Sequence, residues 1–170
     1  PLHLLWLNLL TDGLMGLGLG LESAEPDVMH RPPRRPDAAV FDRAASVHVG
    51  WMGLFICGAA LLLAGIWNRF GLGRGEWQTV LFAAIGCAQI GQAWGLRALT
   101  DRPFRFGRNR ALVGLTLATL GLQLGVIYIP ALARAFKLVP LSPAGLAATA
   151  ALGLFTFGLV HLERRRARRH

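Results

Sequence analysis

LLWLNLLTDGLMGLGLG, Leu4 to Gly20, is a nearly unbroken apolar run with Asn8, Thr11 and Asp12 at its centre and glycines behind them. An ionisable side chain near mid-span in hydrocarbon costs ~3 kcal/mol on insertion scales, so an intramembrane acid marks a functional position by default. Four more runs of similar length follow, Val47 to Trp67, Trp77 to Leu96, Ala111 to Ile129 and Ala144 to Leu162. Each is close to the ~20 residues that an α-helix needs to cross the bilayer core. The 170 residues are 54% hydrophobic and 16% charged, with a mean hydropathy of +0.45, outside the range of ordinary soluble domains. The sequence therefore predicts an all-α integral membrane bundle of five transmembrane helices, spanning about 2–21, 47–67, 77–96, 111–129 and 144–162. The first helix is expected to be broken at Thr11 to Gly13, where an Asp beside a permissive Gly lets the backbone leave helical geometry. No strand-period segment and no internal repeat compete with this reading.

The net charge of +9 sits at the ends of the runs. If the Asp12 helix ends in the cytoplasm, that side receives Arg31, Arg34, Arg35, Arg43, Arg97, Arg102, Arg105, Arg108, Arg110 and the five arginines of the tail ERRRARRH. The other side keeps Arg69, Arg74, Arg134 and Lys137, a ratio of 14 to 4. The positive-inside rule then places loop 22–46 and the carboxy terminus in the cytoplasm. Nucleic acid is not the expected partner, because the basic residues have a topological reason and no aromatic stacking platform accompanies them. The expected contact of the tail is anionic lipid, with a specific partner site as the alternative. Cys57 and Cys87 lie inside apolar runs without a CxxC partner and read as small packing residues. The G-x-G patterns after Asp12 follow no strand and read as helix packing, not as a dinucleotide site. No signal peptide is recognisable and the first residue is Pro, so the segment is expected to come from a longer chain.

Asn8, Thr11 and Asp12 stand at i, i+3 and i+4, which on an α-helix puts them on one face. They offer an amide oxygen, a hydroxyl and a carboxylate, hard ligands suited to a dehydrated Ca²⁺ or an alkali cation. Unwinding at Gly13 would add backbone carbonyls. The plainer alternative has Asp12 capping the second half of a kinked helix while Asn8 and Thr11 bond to neighbouring helices. The other acids, Glu22, Glu25, Asp27, Asp37, Asp42, Glu76, Asp101 and Glu163, lie in loops or at span ends. A Ca²⁺ site takes ~6–8 oxygens and normally more than one carboxylate, so other helices are expected to complete it. Gln89 and Gln92 share a mid-span face and are either weaker members of this cation site or interhelical glue. Thr116, Thr119, Gln123, Thr149 and Thr156 read as glue.

LLWLNLLTDG, followed by EPDVMHRPPRRP from Glu25 to Pro36, resembles the sixth transmembrane helix and following loop of type II P-type cation ATPases. The likeness is nearest to the calcium pumps of sarcoplasmic reticulum and their bacterial relatives, and it makes residues 1–170 similar to the carboxy-terminal transmembrane domain, helices six to ten. The resemblance implies that Asn8, Thr11 and Asp12 are cation ligands, with Asp12 shared between two sites. It also puts Gln89 where the two-calcium pumps carry Glu, and Gln92 where they carry Asn. A neutral amide holds a divalent ion more weakly than a carboxylate, and plasma-membrane calcium pumps, which have Gln there, move fewer ions per cycle. The loop bearing Pro26, Asp27, Met29, Arg31, Pro32, Pro33 and Arg34 resembles the one that couples the phosphorylation domain to the membrane; a solvated basic linker is the alternative.

By the same resemblance the expected cargo is Ca²⁺, with Mn²⁺ and Na⁺ open, and the expected setting is a bacterial plasma membrane. The segment contains no D-K-T-G phosphorylation motif, so Mg-ATP would be bound by the complete pump only. The implied partners are the amino-terminal helices and cytoplasmic domains of the same pump, and the lipid bilayer. The rival expectation is a stand-alone membrane scaffold or regulatory subunit without transport of its own.

Overall fold

The computed structural model describes residues 2–22, 43–72, 75–97 and 109–167. Its elements are α1 (Leu2–Trp6), a π-helical segment (Leu7–Asp12), α2 (Gly13–Gly20), α3 (Arg43–Arg69), α4 (Trp77–Arg97), α5 (Arg110–Tyr128), α6 (Pro130–Phe136) and α7 (Pro143–Ala167), with no strand among the described residues. Five stretches are long and apolar enough to cross a membrane: Leu2–Gly20, Ala45–Arg69, Trp77–Arg97, Arg110–Tyr128 and Pro143–Arg166. The all-α bundle read from hydropathy is the observed fold. Two helices outrun the apolar stretches that announced them. α3 begins at Arg43 and α7 continues through Arg164, Arg165 and Arg166, because polar residues with good helix propensity extend a helix beyond its hydrophobic part.

α4 is the central element, flanked by α7, by α3 and by the π segment with α2. It is also the most buried of the five. Its contact with α7 is a backbone-to-backbone approach. A Cβ at Gly153 would lie 2.7 Å from the Cys87 carbonyl oxygen, one at Gly95 would lie 2.6 Å from Val160 Cβ, and one at Gly91 would run into the Gly153 carbonyl. Small residues permit this where no hydrophobic force drives helices together in lipid. α2 meets α5 where the Leu112 side chain packs onto Gly18.

Polar side chains fasten the two ends of the bundle. At one end Glu76, 7% exposed, accepts hydrogen bonds from Ser142 N–H at 3.1 Å and from the Ser142 hydroxyl at 3.0 Å, while Thr79 Oγ1 accepts from Val139 N–H at 3.0 Å. These contacts hold the chain that leaves α6, whose start is set by Pro130 at its first turn and whose end is set by Lys137 in the left-handed region at φ 54°. At the other end Glu22 Oε2 accepts from Arg97 Nε at 3.0 Å and from Asn109 Nδ2 at 2.8 Å. Asn109 also caps α5 through Leu112 N–H and donates to the Gly18 carbonyl at 2.9 Å. His48 Nδ1 meets Glu163 Oε1 at 3.1 Å, joining α3 to α7.

Candidate cation site

The expected break at Thr11 to Gly13 takes a different form. Asp12 and Gly13 keep right-handed helical angles, at φ −72°, ψ −42° and φ −64°, ψ −52°. Gly13 N–H reaches back five residues to the Asn8 carbonyl, and Leu7–Asp12 winds as a π-helix. The chain is widened here, not opened: across the turn the Gly13 amide and the Asn8 carbonyl pair with each other. Single π turns inside α-helices recur at functional positions.

The wider turn also changes which side chains share a face. Thr11 rotates inward and is 1% exposed, whereas Asn8 and Asp12 are exposed. From α4, Gln89 Nε2 donates a 2.8 Å hydrogen bond to Asp12 Oδ1. Thr11 Oγ1 and Gln89 Oε1 are both buried with no hydrogen-bond partner among the described residues. Thr11, Asp12, Gln89 and Gln92 line one cavity of about 690 Å³, whose remaining wall includes Met15, Gly16 and Leu19 with Gly53, Ile56 and Cys57 of α3. Four of the five anticipated ligands therefore converge, from two helices, on an apolar-walled space. Asn8 does not line it.

Among the described residues no group of three or more His, Cys, Asp and Glu side chains is placed to hold a metal ion. This donor set is a hydroxyl, a carboxylate and two amides, hard oxygen ligands with one charge, which fits a share of a Ca²⁺ shell and not a soft transition-metal site. The coupling-loop residues Pro26, Asp27, Met29, Arg31, Pro32, Pro33 and Arg34 lie outside the described residues.

One feature beside the site escaped the sequence reading. Trp6, directly before the π segment, donates from Nε1 to Gln123 Oε1 on α5 at 3.2 Å. The signal was available in principle, since an indole N–H inside a bilayer needs an acceptor, but nothing in the sequence says which of several mid-span polar residues supplies it.

Residues 1–166 match the family model described as "Cation transporting ATPase, C-terminus". The chain is 37% identical over 149 residues to a calcium-transporting ATPase of Bacillus subtilis, covering 84% of this chain and 16% of the relative. It is 32% identical over 154 residues to calcium-transporting ATPase 1 of Bacillus cereus, covering 80% of this chain and 17% of that one. Against the mouse calcium-transporting ATPase type 2C member 2 it is 30% identical over 146 residues, covering 83% and 15%. The chain thus spans less than a fifth of the length of the curated relatives it matches. The family match over nearly its whole length, joined to five membrane-length helices, shows that the chain belongs to the carboxy-terminal region family of the cation-transporting ATPases.

Proposed function

We propose that the chain is the carboxy-terminal membrane part of an ATP-driven Ca²⁺ pump and supplies part of its intramembrane cation site. The observation that carries this reading is the Asp12 carboxylate on a π-helical turn, beside two buried oxygens, Thr11 Oγ1 and Gln89 Oε1, that lack partners among the described residues. A buried oxygen without a hydrogen bond is costly, and a carboxylate at membrane depth more so; a bound cation offsets both. The names of the Bacillus relatives support Ca²⁺ as cargo, and the setting in this reading is a bacterial plasma membrane.

In this reading Asn8 is a ligand from the exposed side of the π segment, and the remaining oxygens come from helices in the part of the relatives that this chain does not cover. Loop 22–46 carries the coupling residues Pro26 to Arg34 on the cytoplasmic side, with the carboxy terminus on the same face, as the 14 to 4 distribution of basic residues favours. ATP and Mg²⁺ are handled by the cytoplasmic domains of the complete protein.

The test is ATP hydrolysis by the complete protein in sealed membrane vesicles, titrated separately with Ca²⁺, Mn²⁺ and Na⁺. Stimulation by Ca²⁺ with its uptake into the vesicles is the expected result. Stimulation by Na⁺ alone overturns the ion assignment, and no cation response at all favours a scaffold without transport.

A further inference from the structure

A π turn is less favourable than an α turn and persists where surrounding structure determines it. Both shoulders of Leu7–Asp12 are held from the same helix, α5. On the far shoulder, Asn109 Nδ2 donates to the Gly18 carbonyl at 2.9 Å and Leu112 packs on Gly18. On the near shoulder, Trp6 Nε1 donates to Gln123 Oε1 at 3.2 Å.

The near contact is closely packed, and Gln123 Nε2 is buried with no hydrogen-bond partner among the described residues. Gln123 is 5% exposed in the middle of a membrane-length helix. Its amide fills the space left by the missing side chain of Gly86 on α4: a Cβ there would lie 3.1 Å from Nε2 and 3.3 Å from Cδ. The indole can only donate, so the atom facing it has to be the amide oxygen, which fixes the Gln123 orientation. The Trp6 ring also meets Phe136 edge-on, with centroids 5.2 Å apart. α5 and the end of α6 therefore converge on Trp6, the residue from which the π turn starts, and α4 backs Gln123 through Gly86.

Resting on the cation-site reading above, we infer that Gln123 is a positioning residue for transport: through Trp6 it sets the π turn that carries Thr11 inward and aims Asp12 at Gln89. It touches no cargo itself. A residue that served only as interhelical glue would stabilise the bundle equally in every state. A residue that sets the π turn changes how well the site takes its cation.

The experiment uses the complete pump and three variants, Trp6→Phe, which keeps the ring and removes the donor, Gln123→Leu, and the double substitution. Each single change should raise the Ca²⁺ concentration for half-maximal phosphorylation by ATP roughly 3- to 10-fold, the scale of one lost hydrogen bond. The double variant should be no worse than the weaker single one, because both remove the same contact. Phosphorylation from inorganic phosphate without Ca²⁺ should stay unchanged. Unaltered Ca²⁺ dependence, additive losses, or an equal fall in both phosphorylation reactions overturns the inference. Asp12→Asn separates it from the broader reading. If that variant loses Ca²⁺-dependent phosphorylation while Trp6→Phe and Gln123→Leu respond normally, the positioning role alone is wrong; if it retains normal Ca²⁺ dependence, the cation site and this role fall together.

Discussion

Gln89 places an amide N–H on the Asp12 carboxylate at 2.8 Å, where a second carboxylate would add charge for a divalent ion. Gln89→Glu in the complete pump is predicted to raise Ca²⁺ affinity or the number of ions bound, read from the Ca²⁺ dependence of phosphorylation and from equilibrium binding of radioactive calcium. Unchanged curves would make Gln89 helix glue. The identities of these residues were legible in the sequence, and their geometry only in part. The i, i+3, i+4 spacing of Asn8, Thr11 and Asp12 implies a shared face only while hydrogen bonds run four residues back. The π turn breaks that assumption, burying Thr11 and leaving Asn8 outside the cavity. Polarity patterns do not encode hydrogen-bond register, so the spacing could single out candidate ligands without saying which of them face α4.

At the scale of elements, the seam between α4 and α7 depends on glycines that let the two backbones touch. Gly153→Val would force a branched side chain against the Cys87 carbonyl oxygen, where a Cβ already has only 2.7 Å. Overpacking of this kind costs ~1–3 kcal/mol. The variant is predicted to lower the thermal midpoint of the detergent-solubilised protein, whereas Gly121→Ala, with open space around its Cβ position, should leave it nearly unchanged. Equal midpoints for the two would mean that the seam is not a determinant of stability. Close packing was read only from the glycines after Asp12, of which Gly18 meets Leu112 while Gly16 and Gly20 meet nothing; which glycines of a helix find a partner depends on helix rotation, which hydropathy leaves undetermined. Glu76 is a similar case: a span-end acid in the sequence, it is a buried anchor for Ser142 in the fold.

For the molecule as a whole, five spans were legible because the length of an apolar run maps directly onto bilayer thickness; which helices pack together was not. The sidedness rests on charge. Cysteines placed singly at Arg34 and at Arg74 of the complete pump, with Cys57 and Cys87 replaced by Ala, are predicted to differ in intact cells: a membrane-impermeant maleimide should label the second and not the first. Labelling at Arg34 would invert the topology. The central claim is that Asp12 is where the cargo is held. Asp12→Asn keeps size and polarity and removes the charge, so membrane insertion should survive. The most direct measurement is phosphorylation of this variant of the complete pump by ATP across a Ca²⁺ titration, paired with phosphorylation from inorganic phosphate in the absence of Ca²⁺. The account predicts that the first reaction is abolished and the second retained; an Asn variant that phosphorylates with normal Ca²⁺ affinity would contradict it.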